Sequence, residues 1–327
     1  MIGSSESIEV SLESIWKSWF SFRKGKRVTN ELDTFQYYLE ENLMQLFVEL
    51  DNATYRHGGY QHFVVNDNKK RRISVAGIRD RVVHRLVYDH LNAIYDKTFI
   101  HDVWSCRKGK GLLGAIEQTQ ALLHGYPNSY VWKCDVQKFF DSIDHQTLLN
   151  IMVLRVRGDK TLHILQTILA SSVKPDGSRV GVPIGNLTSQ IFANIYLNEF
   201  DRFVKHVLKP QAYLRYGDDF ILIEADQQKL MVFRTSSIAF LKEKVHLTVN
   251  AKSDRMMKAK HGLRFLGMVI WPFGSKLNNR NLRRIYERVN HSNVSSYYGL
   301  LKQHASLKKR KKFTWYIQDK FSREVLE

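Results

Sequence analysis

The chain has 327 residues, 43% of them hydrophobic, and carries 50 Lys and Arg against 32 Asp and Glu for a formal charge of +18. This length and apolar content exclude a disordered tail or a mini-protein and allow two or three lobes around a sizeable core. The basic excess calls for a polyanionic partner; no apolar run approaches the roughly 18 residues that cross a bilayer, and residues 1–10 are polar and acidic rather than signal-like, so the expectation is nucleic acid, no membrane, and a cytoplasmic location.

Leu32, Phe35, Leu39, Leu43, Leu46 and Leu50 recur every three or four positions, which predicts one amphipathic helix over Thr29 to Leu50. Phe63-Val64-Val65 and Ile73-Ser74-Val75 flank the polar stretch Asn66 to Arg72, a predicted hairpin with basic residues near its tip. Ile78, Val82, Leu86, Leu91 and Ile94 predict a second helix. Arg107-Lys108-Gly109-Lys110-Gly111 opens another and is placed to offer backbone N–H groups to a phosphate, with a plain turn as the alternative.

Val131 to Val136 is short and β-prone, and so are Leu214 to Tyr216 and Phe220 to Ile223, which bracket Gly217-Asp218-Asp219 as a hairpin with carboxylates at its bend. Between them, Phe192, Ile195, Phe200, Phe203, Val204 and Val207 keep helical spacing, with Thr188 or Ser189 as the expected N-cap and the end before Pro210. Phe265 to Ile270 is strand-like; Leu282 to Leu307 is helical in pattern, and Lys308 to Lys312 follow as a basic run. The mixture predicts an α+β fold with interwoven lobes, since no repeat or long linker is visible.

Two cysteines, Cys106 and Cys134, are too few for a disulfide framework or a four-cysteine zinc site, and the thirteen histidines show no HExxH spacing. Hard oxygen ligands remain. Nucleotidyl transfer uses two divalent cations held by carboxylates. Asp135 at the end of an apolar strand and Asp218 with Asp219 in a bend are well placed for that, although Gly-Asp-Asp alone is also ordinary turn chemistry.

The surroundings of these acids decide between the two. Lys133-Cys134-Asp135-Val136 through Phe139-Phe140-Asp141-Ser142-Ile143-Asp144, then Gly181-Val182-Pro183-Ile184-Gly185-Asn186-Leu187-Thr188-Ser189-Gln190, then Tyr216-Gly217-Asp218-Asp219, then Phe265-Leu266-Gly267 occur in the order in which reverse transcriptases carry their palm motifs. The chain resembles that superfamily from about Arg71 to its end. The segment Arg72-Ile73-Ser74 with Arg79-Asp80-Arg81 resembles the fingers, and Ser296 to Lys302 the thumb helix. Retroviral, group II intron and retron enzymes usually show Gln-Gly where Ile184-Gly185 stands and often finish with Ser-Pro where Ser189-Gln190 stands. An I-G-x-x-x-S-Q segment is similar to the reverse transcriptases of diversity-generating retroelements, which copy a template RNA with errors at adenines and return the cDNA to a variable gene.

The resemblance implies a right-hand polymerase, with the N-terminal region and fingers at 1–120 and 146–187, palm at 121–145 and 188–272, and a short helical thumb at 273–327. No RNase H, integrase or endonuclease domain is expected. It implies two Mg²⁺ ions, with Mn²⁺ an acceptable substitute, bridged by Asp135 and Asp218, a further ligand from the Val136 carbonyl, and Asp219 completing the site. Arg72, with Lys70 second among the cations Lys69 to Arg72, would meet the dNTP triphosphate. Phe140 would stack under the incoming sugar and exclude a 2′-hydroxyl, Phe139 being the core residue of the pair. Ile184 and Gly185 would lie along the nucleotide, Ile184 relaxing fidelity. Lys252 would protonate the departing pyrophosphate. Phe265, Leu266 and Gly267 would grip the primer, Lys308 to Lys312 would touch duplex or RNA phosphates, and Arg107 would contact the template backbone. The implied partners are template RNA, cDNA, dNTPs and a pentameric basic accessory variability protein. The alternatives are a retron-like or abortive-infection-type reverse transcriptase and, from another class, a catalytically silent RNA-binding scaffold.

Overall fold

The computed structural model describes residues 7–66 and 70–326. Lys69 and residues 1–6 of the acidic N-terminal segment lie outside them.

Helix α1 (Leu12–Arg23) starts on a capping box in which the Ser11 and Ser14 hydroxyls exchange bonds with each other's backbone N–H. The single helix expected over Thr29 to Leu50 is two: α2 (Asn30–Tyr37), capped by Thr29, and α3 (Leu39–Asp51). The chain breaks at Tyr38, φ −104° and ψ 35°. The break turns Leu32 and the Leu43, Leu46, Leu50 stripe into one core, and the Asn42 amide donates to the Phe35 carbonyl freed at the end of α2.

Strands β1 (Tyr60–Asn66) and β2 (Lys70–Ala76) form the expected antiparallel hairpin, with Arg72 inside the strand opposite Val64 and Lys70 opposite Asn66. Helix α4 (Ile78–Tyr95) follows, then α5 (Leu112–Gly125). Next come β3 (Tyr130–Asp135) and the short helices α6 (Phe139–Ser142), α7 (His145–Met152) and α8 (Asp159–Ala170).

Helix α9 (Leu187–Phe203) ends in a π-helical turn, Val204–Leu208, before Pro210. Its N-cap is Asn186, not Thr188 or Ser189. Those two hydroxyls are held elsewhere: Thr188 Oγ1 lies 3.3 Å from His84 Nδ1, and Ser189 Oγ donates to the Pro183 carbonyl at 2.7 Å.

Strands β4 (Ala212–Tyr216) and β5 (Asp219–Glu224), helix α10 (Gln227–Val245) and strand β6 (Arg255–Lys258) complete an antiparallel sheet of order β4-β5-β3-β6. Its alternation explains why it is buried on both faces. Trp132, Cys134, Tyr213, Phe220 and Leu222 enter the core shared with α1–α4 and α6–α10, whereas Val131, Leu214, Ile221 and Ile223 enter a second core with α5 and the C-terminal elements.

The strand expected over Phe265 to Ile270 is instead a hairpin of β7 (Leu263–Phe265) and β8 (Met268–Trp271), extended by β9 (Gly274–Leu277). Leu266 and Gly267 turn at φ +50° and +80°, the positive pair of a type I′ two-residue hairpin loop. The helical stretch beyond is α11 (Asn279–Arg288), α12 (Val294–His304) and α13 (Leu307–Leu326), broken at Val289 and Ala305 where the backbone is extended. Lys308 to Lys312 therefore lie within the first turns of α13 rather than beyond a helix, while Phe313 anchors it in the second core. The fold is the expected α+β, and among the described residues no helix is long and apolar enough to cross a membrane.

Candidate active site

The last residue of β3 and the first of β5 are ladder partners, which sets Asp135 opposite Asp219. Tyr216 pairs with Asp219 across the β4–β5 hairpin, so Gly217 and Asp218 form its two-residue turn. Gly217 has φ +64°, a conformation that favours glycine at the first position of such a turn. Two acids far apart in sequence are thus neighbours, with a third between the strands' ends.

Asp218 is pushed up to about 6, first by burial, then by the charge of Asp219 and more weakly of Asp135; a backbone hydrogen bond and the Arg71 guanidinium act the other way. The carboxylates share one field, the condition in which a divalent cation is favoured. As they stand, however, two of them face protein partners. Asp135 accepts from the Ser253 hydroxyl and from Asn250 Nδ2 at 3.3 Å, and Asp219 lies 3.0 Å from Lys133 Nζ. Among the described residues no three Asp, Glu, His or Cys groups are gathered as a ready cage. The set fits a divalent ion in donor type and charge, not in its present side-chain orientations.

The Asp135 carbonyl accepts from Asn250 N–H at 2.9 Å, and Val136 bridges Val249 on the same side. Successive carbonyls of an extended chain point oppositely, so the Val136 carbonyl is directed to the β5 side.

Phe139 is buried and Phe140 half-buried, their rings 5.4 Å apart, as the sequence predicts for that pair. The Phe140 carbonyl accepts from Val182 N–H at 2.8 Å, which ties this short helix to the segment that carries Ile184 and Gly185. That segment is in turn laid against β2: Ser74 N–H donates to the Ile184 carbonyl at 2.8 Å, and Gly185 faces the Ile73 and Val75 methyls.

This contact separates the hairpin cations. Arg71 shares the face of Ile73 and Val75, and its charge weakly favours the ionised form of Asp218, whereas Arg72 shares the opposite face with Ser74 and His62, and Lys70 is exposed at the strand's start. Adjacent arginines look alike in the sequence until the partner of one strand face is known.

Lys252 is exposed and lines a cavity of about 490 Å³ with Lys133, Ser253, Arg255 and Arg264; Lys133 connects this basic cavity to Asp219. Lys133 was not anticipated, although its place two residues before Asp135 puts it on the same strand face. Phe265 is buried, and Leu266 and Gly267 form the β7–β8 turn, whose Gly267 carbonyl accepts from Asn281 Nδ2 at 3.1 Å. Arg107 is used within the protein: it donates to the Asp96 carboxylate at 2.7 Å and to the carbonyls of Ile100, Val103 and Asp96. It fastens the 96–107 segment.

Residues 57–270 match the model of the reverse transcriptase (RNA-dependent DNA polymerase) family, and the chain belongs to that family. It is similar to protein YkfC of Escherichia coli, 23% identical over 241 residues, which is 62% of this chain and 63% of that one. It is also similar to the group II intron-encoded protein LtrA of Lactococcus lactis, 24% identical over 179 residues, 53% of this chain and 30% of LtrA. The chain thus spans under two thirds of these curated relatives. A solved apo telomerase from Candida tropicalis, truncated from its C-terminal domain, superposes on 74% of this chain and 60% of that one with TM-score 0.49 and 13% identity.

Proposed function

We propose that the protein is an RNA-directed DNA polymerase that makes cDNA from a template RNA, working in the cytoplasm as the error-prone enzyme of a diversity-generating retroelement. The observation that carries the polymerase reading is the gathering of Asp135, Asp218 and Asp219 in one field at the edge of the sheet, inside a chain of the reverse transcriptase family. Asp135, Asp218 and the Val136 carbonyl would hold two Mg²⁺ ions, with Asp219 in support and Mn²⁺ able to replace them. Bound there, such ions supply Lewis-acid activation of the primer hydroxyl and charge neutralisation of the triphosphate.

The chain's own residues bind and orient. Arg71 meets the triphosphate, with Lys70 and Arg72 outside it; Phe140 packs under the sugar; Ile184 and Gly185 flank the base pair; Lys252, which shares the basic cavity with the Lys133 that meets Asp219, is the proton donor to pyrophosphate. Phe265, Leu266 and Gly267 present the primer end, and the basic start of α13 meets duplex phosphates. In this reading the lobes divide as fingers at 1–120 and 146–187, palm at 121–145 and 188–272, and thumb at 273–327.

The retroelement assignment is supported by Ile184 and Gln190, the departures from Gln-Gly and Ser-Pro, and brings with it a pentameric basic accessory variability protein as partner. The test is Mg²⁺-dependent dNTP incorporation on a primed RNA by the wild type and Asp218→Ala, with the cDNA sequenced. Loss in the variant and errors gathered at template adenines, reduced by Ile184→Gln, are the expected results. Faithful cDNA would move the protein to a retron-like role; no incorporation even with cognate RNA and accessory protein would leave an RNA-binding scaffold.

A further inference from the structure

We propose that Ser105 and Arg215 are positioning residues that hold the Gly217–Asp218 turn from both sides and so set the aim of the Asp218 carboxylate, an inference that rests on the polymerase reading above. Gly217 N–H donates to Ser105 Oγ at 2.8 Å, and the Gly217 carbonyl accepts from Arg215 Nη1 at 2.9 Å. A two-residue hairpin turn is ordinarily held by the ladder pair at its base. Here both main-chain groups of its first residue are also taken by side chains outside the turn.

Each of those side chains is itself fixed. Arg215 is fully buried, and its fork closes on Asp201, Nε to Oδ1 at 2.8 Å and Nη2 to Oδ2 at 2.6 Å, while the Tyr213 hydroxyl donates to Asp201 Oδ1 at 2.7 Å. Asn194 on α9 joins the two tethers: its Oδ1 accepts from Arg215 Nη1 at 3.1 Å and its Nδ2 donates to the Ser105 carbonyl at 2.9 Å. The backbone repeats the connection, with Arg215 N–H on the Asp102 carbonyl at 2.9 Å and Trp104 N–H on the Arg215 carbonyl at 3.0 Å. Helix α9, strand β4, residues 102–105 and the turn are therefore one hydrogen-bonded unit.

Such a unit answers a specific difficulty. Asp218 sits in the turn beside Asp219, which is itself the ladder partner of Asp135, so three like charges crowd one strand end and the turn needs holding against their repulsion. A fully buried arginine–carboxylate pair adds little net stability over an apolar replacement, so its place behind this turn is better explained by geometry. Small displacements of a reacting group can cost about a hundredfold in rate.

The experiment compares wild type with Ser105→Ala, which removes one hydroxyl, and with Arg215→Lys, which keeps the charge beside Asp201 but not the fork. Primer extension is expected to show kcat lowered about tenfold in Ser105→Ala and further in Arg215→Lys, with dNTP KM and primed-template Kd unchanged. Hydrogen exchange across residues 216–219 is expected to quicken in Ser105→Ala while the rest of the sheet keeps its protection. An unchanged kcat in Ser105→Ala, a loss confined to KM, or unaltered exchange in the turn would overturn the proposal. If the wild type itself fails to extend a primer even with cognate RNA and accessory protein, the polymerase reading falls, and the exchange measurement still decides whether Ser105 holds the turn.

Discussion

The side-chain amide of Asn186 is bonded at both ends to strand β2: its Nδ2 donates to the Ser74 carbonyl at 2.8 Å and its Oδ1 accepts from Ala76 N–H at 3.1 Å. The residue that caps α9 therefore also fixes the β1–β2 hairpin against the 184–186 segment. Between Asn186 and Ile184 the chain has room for nothing but glycine. A Cβ on Gly185 would lie 2.8 Å from Ile73 Cγ2 and 3.1 Å from the Ser74 carbonyl, at a φ of +123°. Gly185→Ala is expected to destabilise the fold by about 1–3 kcal/mol and to raise dNTP KM by moving the hairpin. Denaturant unfolding and steady-state extension check the two effects, and a variant that keeps wild-type stability would show the contact to be yielding.

Asp218→Asn is expected to be inactive yet more stable. The folded chain holds the Asp218 proton up to about pH 6 against an ordinary value of 3.8, so the folded state carries the extra proton between those limits and stability falls as pH rises through them. Asparagine has no charge to bury, and the variant should gain about 1–3 kcal/mol above pH 6, a gain that fades toward pH 4. Thermal unfolding across this range without divalent ions reads the difference. Adding Mg²⁺ should raise the wild-type Tm and leave the variant nearly unmoved.

Arg71 and Arg72 should separate cleanly. Arg71→Ala is expected to raise dNTP KM by about tenfold or more, the worth of one charge-assisted hydrogen bond, and Arg72→Ala to stay within about twofold. The reverse order would mean that the hairpin turns its other face to the nucleotide when substrate binds.

Phe140→Ala is expected to admit ribonucleotides, narrowing the dNTP over rNTP preference in kcat/KM by about tenfold or more, because it removes the half-buried ring and leaves Phe139 to keep the core. Unchanged discrimination would assign Phe140 to packing alone.

Much of this was legible in the sequence, and the exceptions share a cause. Alternation of Val131, Trp132 and Cys134, and of Phe220 to Ile223, marks strands with two buried faces, and the acids fall at their ends. The same pattern reading joins α2 to α3 and β7 to β8, because periodicity reports which residues are apolar and not where the chain turns back; Gly267 was the local sign of the second turn. Asn186 was not legible because its β2 partners lie more than a hundred residues away, and Arg107 because a local ion pair with Asp96 leaves no periodic trace in the sequence. A donor's role is set by what it reaches: the β2 backbone for Asn186, Asp96 for Arg107.

The pairing of β3 with β5 carries a kinetic consequence. Helices α6 to α9 and strand β4 lie between those strands in sequence, so the ladder that brings Asp135 to Asp219 closes one of the longer loops in the protein. Contacts of such high sequence separation form late, since the loop entropy must be met before they return any energy. During refolding, helical signal should therefore recover ahead of any affinity for metal or nucleotide, and a nascent chain that has not yet released β5 has helices but no place to do chemistry.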